Sequence, residues 1–303
     1  MSTLTERMST LTERMQSSAK LVEGLLKELL APTDPAPEEK PLWEAMEYST
    51  MAGGKRIRPF LVMEVCRTLG GRQEEALVYA AALEMIHTYS LIHDDLPCMD
   101  NDDLRRGKPT CHKVYGEATA LLAGDGLLTR AFELVANAPG ILPLRKCYAV
   151  AILAEAAGAP GMIGGQQMDL ISEGKEIPYE TMVAIHEKKT CALLIAACRL
   201  GVLAAGQRGS EVEDAMTTYG MGIGRAFQLI DDLLDVTSTK EVLGKDIGSD
   251  QKNKKTTYLT FMPVETAEDL AKAITDKAKE AVEPYDKDGV LTALADYLTE
   301  RKN

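Results

Sequence analysis

The sequence lacks an excess of positive charge. It contains 34 Lys and Arg against 46 Asp and Glu, a formal net charge of -12 at pH 7, and its pI is about 5.0. Nucleic acid and anionic membrane surfaces repel so acidic a chain, and we expect neither as its main partner. An anionic small molecule stays possible as a ligand, because bound cations can invert the local sign of a site.

Three other common signals are missing. None of the six cysteines forms a C-x-x-C pair, so neither a zinc ribbon nor a redox pair is expected, and scattered cysteines fit a reducing compartment. The first residues contain Glu and Arg in place of a basic stretch followed by an apolar run, which argues against a secretory leader. No uncharged run is long enough to span a membrane. These absences predict a soluble cytoplasmic protein.

The first residues contain a repeat. Residues 1–7 recur without change as residues 8–14. Met and Leu fall at heptad spacing, but a coiled coil needs about three or four heptads and the repeat supplies fewer. It is either a duplicated start or an extension, and we assign it no role in chemistry. No shift in composition follows it, so residues 15–303 are predicted to be one domain.

The rest of the sequence has apolar residues at helical spacing in one segment after another. Alternating segments bounded by turn residues are essentially absent, so few or no strands are expected. We therefore predict a single all-α domain. The predicted helices are Leu21–Leu30, Ile57–Leu69, Glu74–His93, Gly126–Ala136, Lys146–Ala156, Met182–Leu203, Glu211–Val236, Ala267–Val282 and Leu291–Arg301.

The first candidate site is residues 53–59, Gly-Gly-Lys-Arg-Ile-Arg-Pro. The segment places cations and glycines at a predicted helix start, where the backbone can approach a ligand closely and the helix N-terminus attracts anions. Lys and Arg add charge-assisted hydrogen bonds to phosphate oxygens. The segment is either a phosphate site or an ordinary solvated helix start.

The second candidate follows the predicted helix Glu74–His93 and consists of Asp94, Asp95 and Asp100. Carboxylates next to apolar helical sequence are costly to leave unpaired. Pro97 ends the helix, so Asp100 can turn back toward Asp94. The spacing and the glycine of a calcium loop are missing. The alternative to a ligand site is a solvated acidic loop neutralised by the arginines that follow it.

A second acidic group, Asp231, Asp232 and Asp235, lies near the end of the predicted helix Glu211–Val236. Asp231 and Asp235 share one helix face, and like charges at this spacing repel. A bound cation would explain the group, and a solvent-exposed helix end is the alternative. Mg²⁺ takes oxygen ligands and usually binds substrate phosphates as well. Two such groups predict a metal-bound polyphosphate held between two helices.

Weaker signals accompany these groups. Lys189 and Thr190 are either phosphate donors or an ordinary polar patch, and residues 165–169 (Gly-Gln-Gln-Met-Asp) are either a polar cluster in the core or a ligand contact. His87, on an apolar face, is ordinarily a satisfied core histidine. Residues 252–257 are Lys-rich, and such a stretch is more often a flexible surface loop than a site.

Together these segments resemble the trans (head-to-tail) isoprenyl diphosphate synthases over nearly the whole chain after the repeat. The matching segments, in order, are residues 53–59, 94–107, 165–169, 189–190 and 227–235. Each is only suggestive alone, but the ordered set is highly specific. The insertion Pro97-Cys98 is similar to the bacterial farnesyl and plant-type geranylgeranyl branch. The resemblance implies the isoprenoid synthase fold, an antiparallel helical bundle around a central cavity, in a homodimer.

The resemblance also implies roles for single residues. About three Mg²⁺ ions would be bound with substrate, mainly by Asp94, Asp100 and Asp231, with Asp95 and Asp235 close by or acting through water. The allylic diphosphate would be held by Arg105, Lys189, Thr190, Gln228, Lys245 and Lys255, where Lys252 and Lys254 are alternatives to Lys255. Isopentenyl diphosphate would be held by Gly54, Lys55, Arg58, His87 and Arg106. Product length would be set by Tyr89 and Ser90.

The implied reaction condenses isopentenyl diphosphate with dimethylallyl or geranyl diphosphate. Mg²⁺ would stabilise the leaving diphosphate, and the protein would supply positioning and electrostatics. The aromatic ring of Tyr89 favours a C15 product, farnesyl diphosphate, over the C20 alternative. A class I terpene cyclase would not need the isopentenyl site at Lys55, Arg58 and His87. A non-catalytic subunit should lack one acidic group, and a pure binding protein is the remaining alternative.

Overall fold

Helices form almost all of the regular structure in the computed structural model, which describes residues 4–237 and 256–299. The first elements are α1 (Leu4–Leu29), α2 (Lys40–Thr50), α3 (Ile57–Thr68), α4 (Gln73–Asp94), β1 (Leu104–Arg105), β2 (Lys108–Pro109), α5 (Cys111–Tyr115), α6 (Glu117–Asn137) and α7 (Pro143–Ala157). These are followed by α8 (Met162–Ser172), α9 (Tyr179–His186), a π-helical turn (Glu187–Cys191), α10 (Ala192–Ala204), α11 (Glu211–Thr237), a 3-10 turn (Tyr258–Thr260), α12 (Val264–Val282) and α13 (Val290–Thr299).

Two helices, α4 and α10, form the centre of the bundle. Both carry apolar or small residues on every side, as buried helices do, and Ala80, Ala81 and Ala82 of α4 are fully buried. Helix α4 packs against α3 and α6, and α10 packs against α3, α7 and α11. A smaller core joins α9, α11 and α12. The prediction of a single-domain all-α bundle is confirmed.

Helix α1 begins at Leu4, within the first copy of the repeat, and continues past residue 14 without a break. Leu11, in the second copy, is 1% exposed. Arg14 donates to Glu64 Oε1 and to Asp288 Oδ2, at 2.5 Å each. Burial raises the pKa of Glu64, and the charge of Arg14 opposes that rise. The second copy of the repeat therefore packs on the body of the bundle.

One local feature agrees with the expectation of few or no strands, and a second departs from the predicted helices. A short antiparallel ladder pairs β1 with β2, across a turn in which Arg106 and Gly107 have positive φ angles of 54° and 76°. The predicted helix Met182–Leu203 is divided by the π-helical turn Glu187–Cys191. Such turns are rare within α-helices and are frequent at functional sites.

One stretch of the described chain, Pro143–Ser172, is long and apolar enough to cross a membrane when only length and composition are considered. In the fold it is two helices, because α7 ends at Ala157 and α8 begins at Met162. Buried core helices pass the same test, and 39% of its most apolar window is buried. The stretch is therefore weak evidence for a membrane segment.

Candidate active site

A cavity of about 350 Å³ lies beside the C-terminal end of α4. Its lining residues come from α3, α4, the loop after α4, α8 and the π-helical turn. Several of these residues are apolar, including Met99, Met162, Ile163 and Leu170. Of the residues predicted for the site, the cavity brings together Arg58, His87, Tyr89, Ser90, Asp94 and Lys189.

The acidic group at the end of α4 gathers around Asp94. The backbone N–H of Asp100 donates to the Asp94 carbonyl at 2.8 Å, which confirms that the loop turns back after Pro97. Burial raises the pKa of Asp94 to about 6; the charge of Lys189 opposes this rise, and that of Asp100 adds to it. An ionised Asp94 is therefore costly here unless a further cation is bound.

Asp95 and Arg105 form a bidentate ion pair. Arg105 Nε lies 2.8 and 2.9 Å from the two carboxylate oxygens of Asp95, and Nη2 lies 2.5 Å from Oδ1. Asp95 is 3% exposed; burial raises its pKa and the hydrogen bonds from Arg105 lower it. This geometry gives strong, directional pairing. The predicted roles of Asp95 with metal and of Arg105 with diphosphate stay predictions.

The π-helical turn presents Lys189 to the cavity. Lys189 Nζ donates to Asp169 Oδ2 at 2.6 Å, so the Asp of the 165–169 segment is an ionic partner of this lysine. Helix α8 approaches the turn closely at Gly165, where a Cβ would overlap the backbone N of Lys189. Sequence spacing gave no sign of this pair, because it joins two elements that are distant along the chain.

A cationic pocket lies on the same cavity at Arg58 and His87. Arg58 Nη1 is 3.3 Å from His87 Nε2. Since the guanidinium only donates, this ring nitrogen accepts and His87 is neutral. Burial, followed by the charges of Arg58 and Arg106, lowers the pKa of His87 well below its usual range. Arg58 Nε is buried and has no hydrogen-bond partner among the described residues. The pocket therefore suits an anion.

The remaining residues predicted for isopentenyl diphosphate, Gly54, Lys55 and Arg106, do not all lie together. Gly54 has a φ of 126°, and a Cβ there would lie 2.6 Å from the guanidinium carbon of Arg106, which also donates to the Gly53 carbonyl. Lys55 Nζ lies 5.6 Å from the ring centroid of Tyr297 on α13. The structure thus brings Gly54 and Arg106 together and places Lys55 toward α13.

Helix α11 connects to the π-helical turn through Gln228. Thr190 Oγ1 donates to Gln228 Oε1 at 3.2 Å, and Gln228 Nε2 donates to Asp232 Oδ1 at 3.2 Å. The other oxygen of Asp232 accepts from the backbone N–H of Tyr258 at 3.0 Å. Asp232 is 3% exposed and serves this internal network.

Asp231 and Asp235 lie on α11 offset from Asp232, and both are only partly buried. Asp235 Oδ2 is buried without a hydrogen-bond partner within residues 4–237 and 256–299. In those ranges no three metal-ligating side chains are already gathered as a metal site. Lys245 and Lys255 lie outside the described residues.

One lining residue, His93, was missed by the sequence analysis. It contacts the cavity together with Tyr89. The two are four residues apart on α4 and so share a helix face. This spacing was visible in the sequence, but nothing there showed that the face would line a cavity.

The all-α bundle, with acidic and cationic groups on one cavity, fits the trans-prenyltransferase family. Residues 39–293 match the polyprenyl synthetase family. The chain belongs to that family, and the resemblance found in the sequence is confirmed.

Similar proteins carry names for different products. The chain is 48% identical to a chloroplastic geranylgeranyl pyrophosphate synthase of Capsicum annuum over 264 residues, which cover 86% of this chain and 71% of the relative. It is 43% identical to the farnesyl diphosphate synthase of Escherichia coli, with 87% and 90% covered. Among solved structures, geranylgeranyl pyrophosphate synthetase from Pyrococcus horikoshii has a TM-score of 0.87 and 32% identity, with 97% and 99% covered. An FPP/GFPP synthase from Zymomonas mobilis has a TM-score of 0.86 and 35% identity, with 96% and 99% covered.

Proposed function

We propose that this protein joins isopentenyl diphosphate head-to-tail to an allylic diphosphate and releases pyrophosphate. The observation that carries the proposal is the pairing of two unlike sites on one cavity: an acidic group at Asp94 and a buried cationic pocket at Arg58 and His87. The first suits a metal-bound diphosphate, and the second suits a diphosphate bound directly. A terpene cyclase, which binds one diphosphate, has no need of the second site.

The carboxylates fit Mg²⁺. Burial raises the pKa of Asp94, and the nearby charge of Asp100 adds to that rise. Asp235 Oδ2 is buried and unpaired among the described residues. Mg²⁺ is usually held by one or two carboxylates together with substrate phosphates, so a ready-made cage is not required. We assign Asp94, Asp100 and Asp231 as main ligands, with Asp95 and Asp235 beside them. Bound Mg²⁺ would make the diphosphate a better leaving group.

The protein's own side chains bind and orient the two substrates. Lys189 donates to the allylic diphosphate, exchanging Asp169 for a phosphate oxygen. Thr190 and Gln228 are hydrogen-bonded to each other and lie beside the reacting carbons. The allylic C–O bond breaks, the diphosphate leaves, and the double bond of isopentenyl diphosphate attacks the resulting carbocation. The apolar wall excludes water, which would otherwise capture that carbocation. Pyrophosphate accepts the proton that is lost, so no carboxylate base is needed.

The decisive experiment is Mg²⁺-dependent incorporation of radiolabelled isopentenyl diphosphate with dimethylallyl, geranyl and farnesyl primers. Turnover that chelator abolishes and Mg²⁺ restores would support the proposal. Tight binding of both diphosphates without any product would show that the chain is a binding protein instead.

Arg58→Ala is expected to raise the KM for isopentenyl diphosphate, with little change in the KM for the allylic primer. A charge-assisted hydrogen bond contributes about 1.5–3 kcal/mol, or roughly 10- to 150-fold. Arg67→Ala, an exposed arginine of the same helix, is the matched control. Steady-state kinetics with each substrate varied in turn give the two KM values. An effect confined to the allylic KM would mean that the two subsites are assigned the wrong way round.

For the product we propose C15 farnesyl diphosphate, because the Tyr89 ring lies on the cavity wall one turn before Asp94. Tyr89→Ala is expected to lengthen the product to C20 or beyond. If Tyr89 only filled the core, its loss would cost about 3–5 kcal/mol of stability and leave the product unchanged. Mass spectrometry of the dephosphorylated alcohols distinguishes these results, with Tyr148→Ala on α7 as control. A wild-type enzyme releasing mostly C20 from dimethylallyl diphosphate would contradict the C15 assignment.

We further propose a cytoplasmic homodimer. All six cysteines are unpaired, as in a reducing compartment. Large apolar side chains are exposed on neighbouring helices, Leu121 and Leu122 on α6 and Leu144 on α7, and such surfaces often mark interfaces. Sedimentation equilibrium measures the assembly, and a monomer at all concentrations would contradict it. Fractionation of the source cells measures the localisation.

A further inference from the structure

The ring of Tyr89 is not held in place by its own hydroxyl. The Tyr89 oxygen is buried and has no hydrogen-bond partner among the described residues. Burial, followed by the charge of Asp94, raises the pKa of Tyr89 to about 12. The phenol is therefore neutral, and the position of the ring depends on what packs against it.

His93 supplies part of that packing on the cavity side. The Tyr89 and His93 ring centroids are 5.7 Å apart, with an interplanar angle of 75°. This is the edge-to-face arrangement that aromatic pairs prefer. Both rings line the cavity, so His93 is a second wall beside the ring assigned to product length.

Helix α6 fixes His93 from the other side. His93 Nε2 lies 3.0 Å from the carbonyl oxygen of Leu121, and because a carbonyl only accepts, Nε2 carries the proton. The helices can come this close because residue 124 is glycine: a Cβ there would overlap Nε2 and Cδ2 of His93. Glycine within a helix costs about 1 kcal/mol relative to alanine. Close contact with His93 accounts for a glycine at this position.

We propose that His93 is a positioning residue for product length. It is held by the Leu121 carbonyl, accommodated by Gly124, and pressed against Tyr89, so that it keeps the tyrosine ring in the path of the growing prenyl chain. This inference rests on the proposed function and assigns a further determinant to the same cavity.

Substitutions on the two sides of His93 should change the product in opposite directions. His93→Ala removes the support of Tyr89 and is expected to lengthen the main product by at least one C5 unit. Gly124→Ala pushes the imidazole away from α6 toward the cavity and is expected to increase the share of shorter products. Gly124→Ala combined with His93→Ala removes the overlap and should give the longer product.

Two controls separate this role from ordinary packing. Gly126→Ala adds the same methyl group two residues further along α6, where it meets only the flexible end of Met46, with Sδ at 3.0 Å; the product should not change. Tyr89→Phe keeps the ring and removes an unpaired hydroxyl, and it should also keep the wild-type product.

The readout is the product distribution from dimethylallyl diphosphate, normalised to total turnover. No prenyl product from the wild-type protein would refute the proposed function itself, before any variant is compared. With an active wild type, a wild-type distribution from His93→Ala would overturn the inference, because a purely structural role changes stability and rate but not product length. If Gly124→Ala alone does not fold, the double variant replaces it, and a wild-type distribution from that variant would also overturn the inference.

Discussion

Asp94→Asn is expected to lower kcat/KM by about 10²–10³-fold, the usual cost of removing one preorganised electrostatic contact to a transition state. Asp231→Asn should have a similar effect, since the two acidic groups are proposed to bind the same metal ions and neither can replace the other. Turnover of radiolabelled isopentenyl diphosphate at saturating Mg²⁺ is the measurement. Asp103→Asn is the matched control, because this nearby carboxylate is exposed and pairs with Lys113.

The same substitution at Asp94 should stabilise the metal-free protein. The folded-state pKa of Asp94, about 6, lies above the ordinary value of 3.8. The ionised carboxylate therefore destabilises the fold above pH 6, and this penalty is lost as the pH falls toward 3.8. Asparagine removes this penalty, which should raise the free energy of unfolding by up to about 3 kcal/mol at pH 7.5 and by less at pH 5. Thermal unfolding in chelator at both pH values measures the gain. An Asp94→Asn variant with near-normal turnover would rule out the metal-binding assignment.

Lys189→Ala is expected to lower kcat/KM for the allylic diphosphate by roughly 10- to 150-fold, since a hydrogen bond to a charged group contributes about 1.5–3 kcal/mol. Lys188→Ala is a close control. It removes the neighbouring lysine of the same π-helical turn, whose Nζ donates to the Pro160 carbonyl at 2.7 Å on the surface.

Kinetics with the allylic substrate varied compare the two lysines. Equal losses in Lys188→Ala and Lys189→Ala would point to disruption of the turn as the cause, and the assignment of Lys189 to the diphosphate would be wrong.

Long helices with clear ends were predictable from the sequence. The predicted helices Glu74–His93 and Glu211–Val236 correspond to Gln73–Asp94 and Glu211–Thr237 in the structure, because a sustained apolar period identifies the element and proline or polar residues end it. The π-helical turn was missed because one residue of extra winding leaves the apolar pattern almost unchanged. A ladder of two-residue strands is too short to show alternation.

The candidate site was predictable where its geometry is local. The approach of Asp100 to Asp94 follows from a proline two residues after Asp95. Contacts between distant elements could not be predicted, such as Lys189 with Asp169. Such contacts depend on how closely two helices pack, which the order of residues along the chain does not specify.

Helix α4 carries both the proposed metal ligand Asp94 and, five residues earlier, the Tyr89 ring proposed to set product length, so the helix fixes the distance between them. At 1.5 Å per residue the two lie about 7.5 Å apart along the helix axis. This span is continuous α-helix, so loop movements cannot stretch it. Under the proposed assignment, product length changes when the side chain at position 89 is exchanged, while the bundle stays the same. Relatives named for different products can therefore share one fold with this chain.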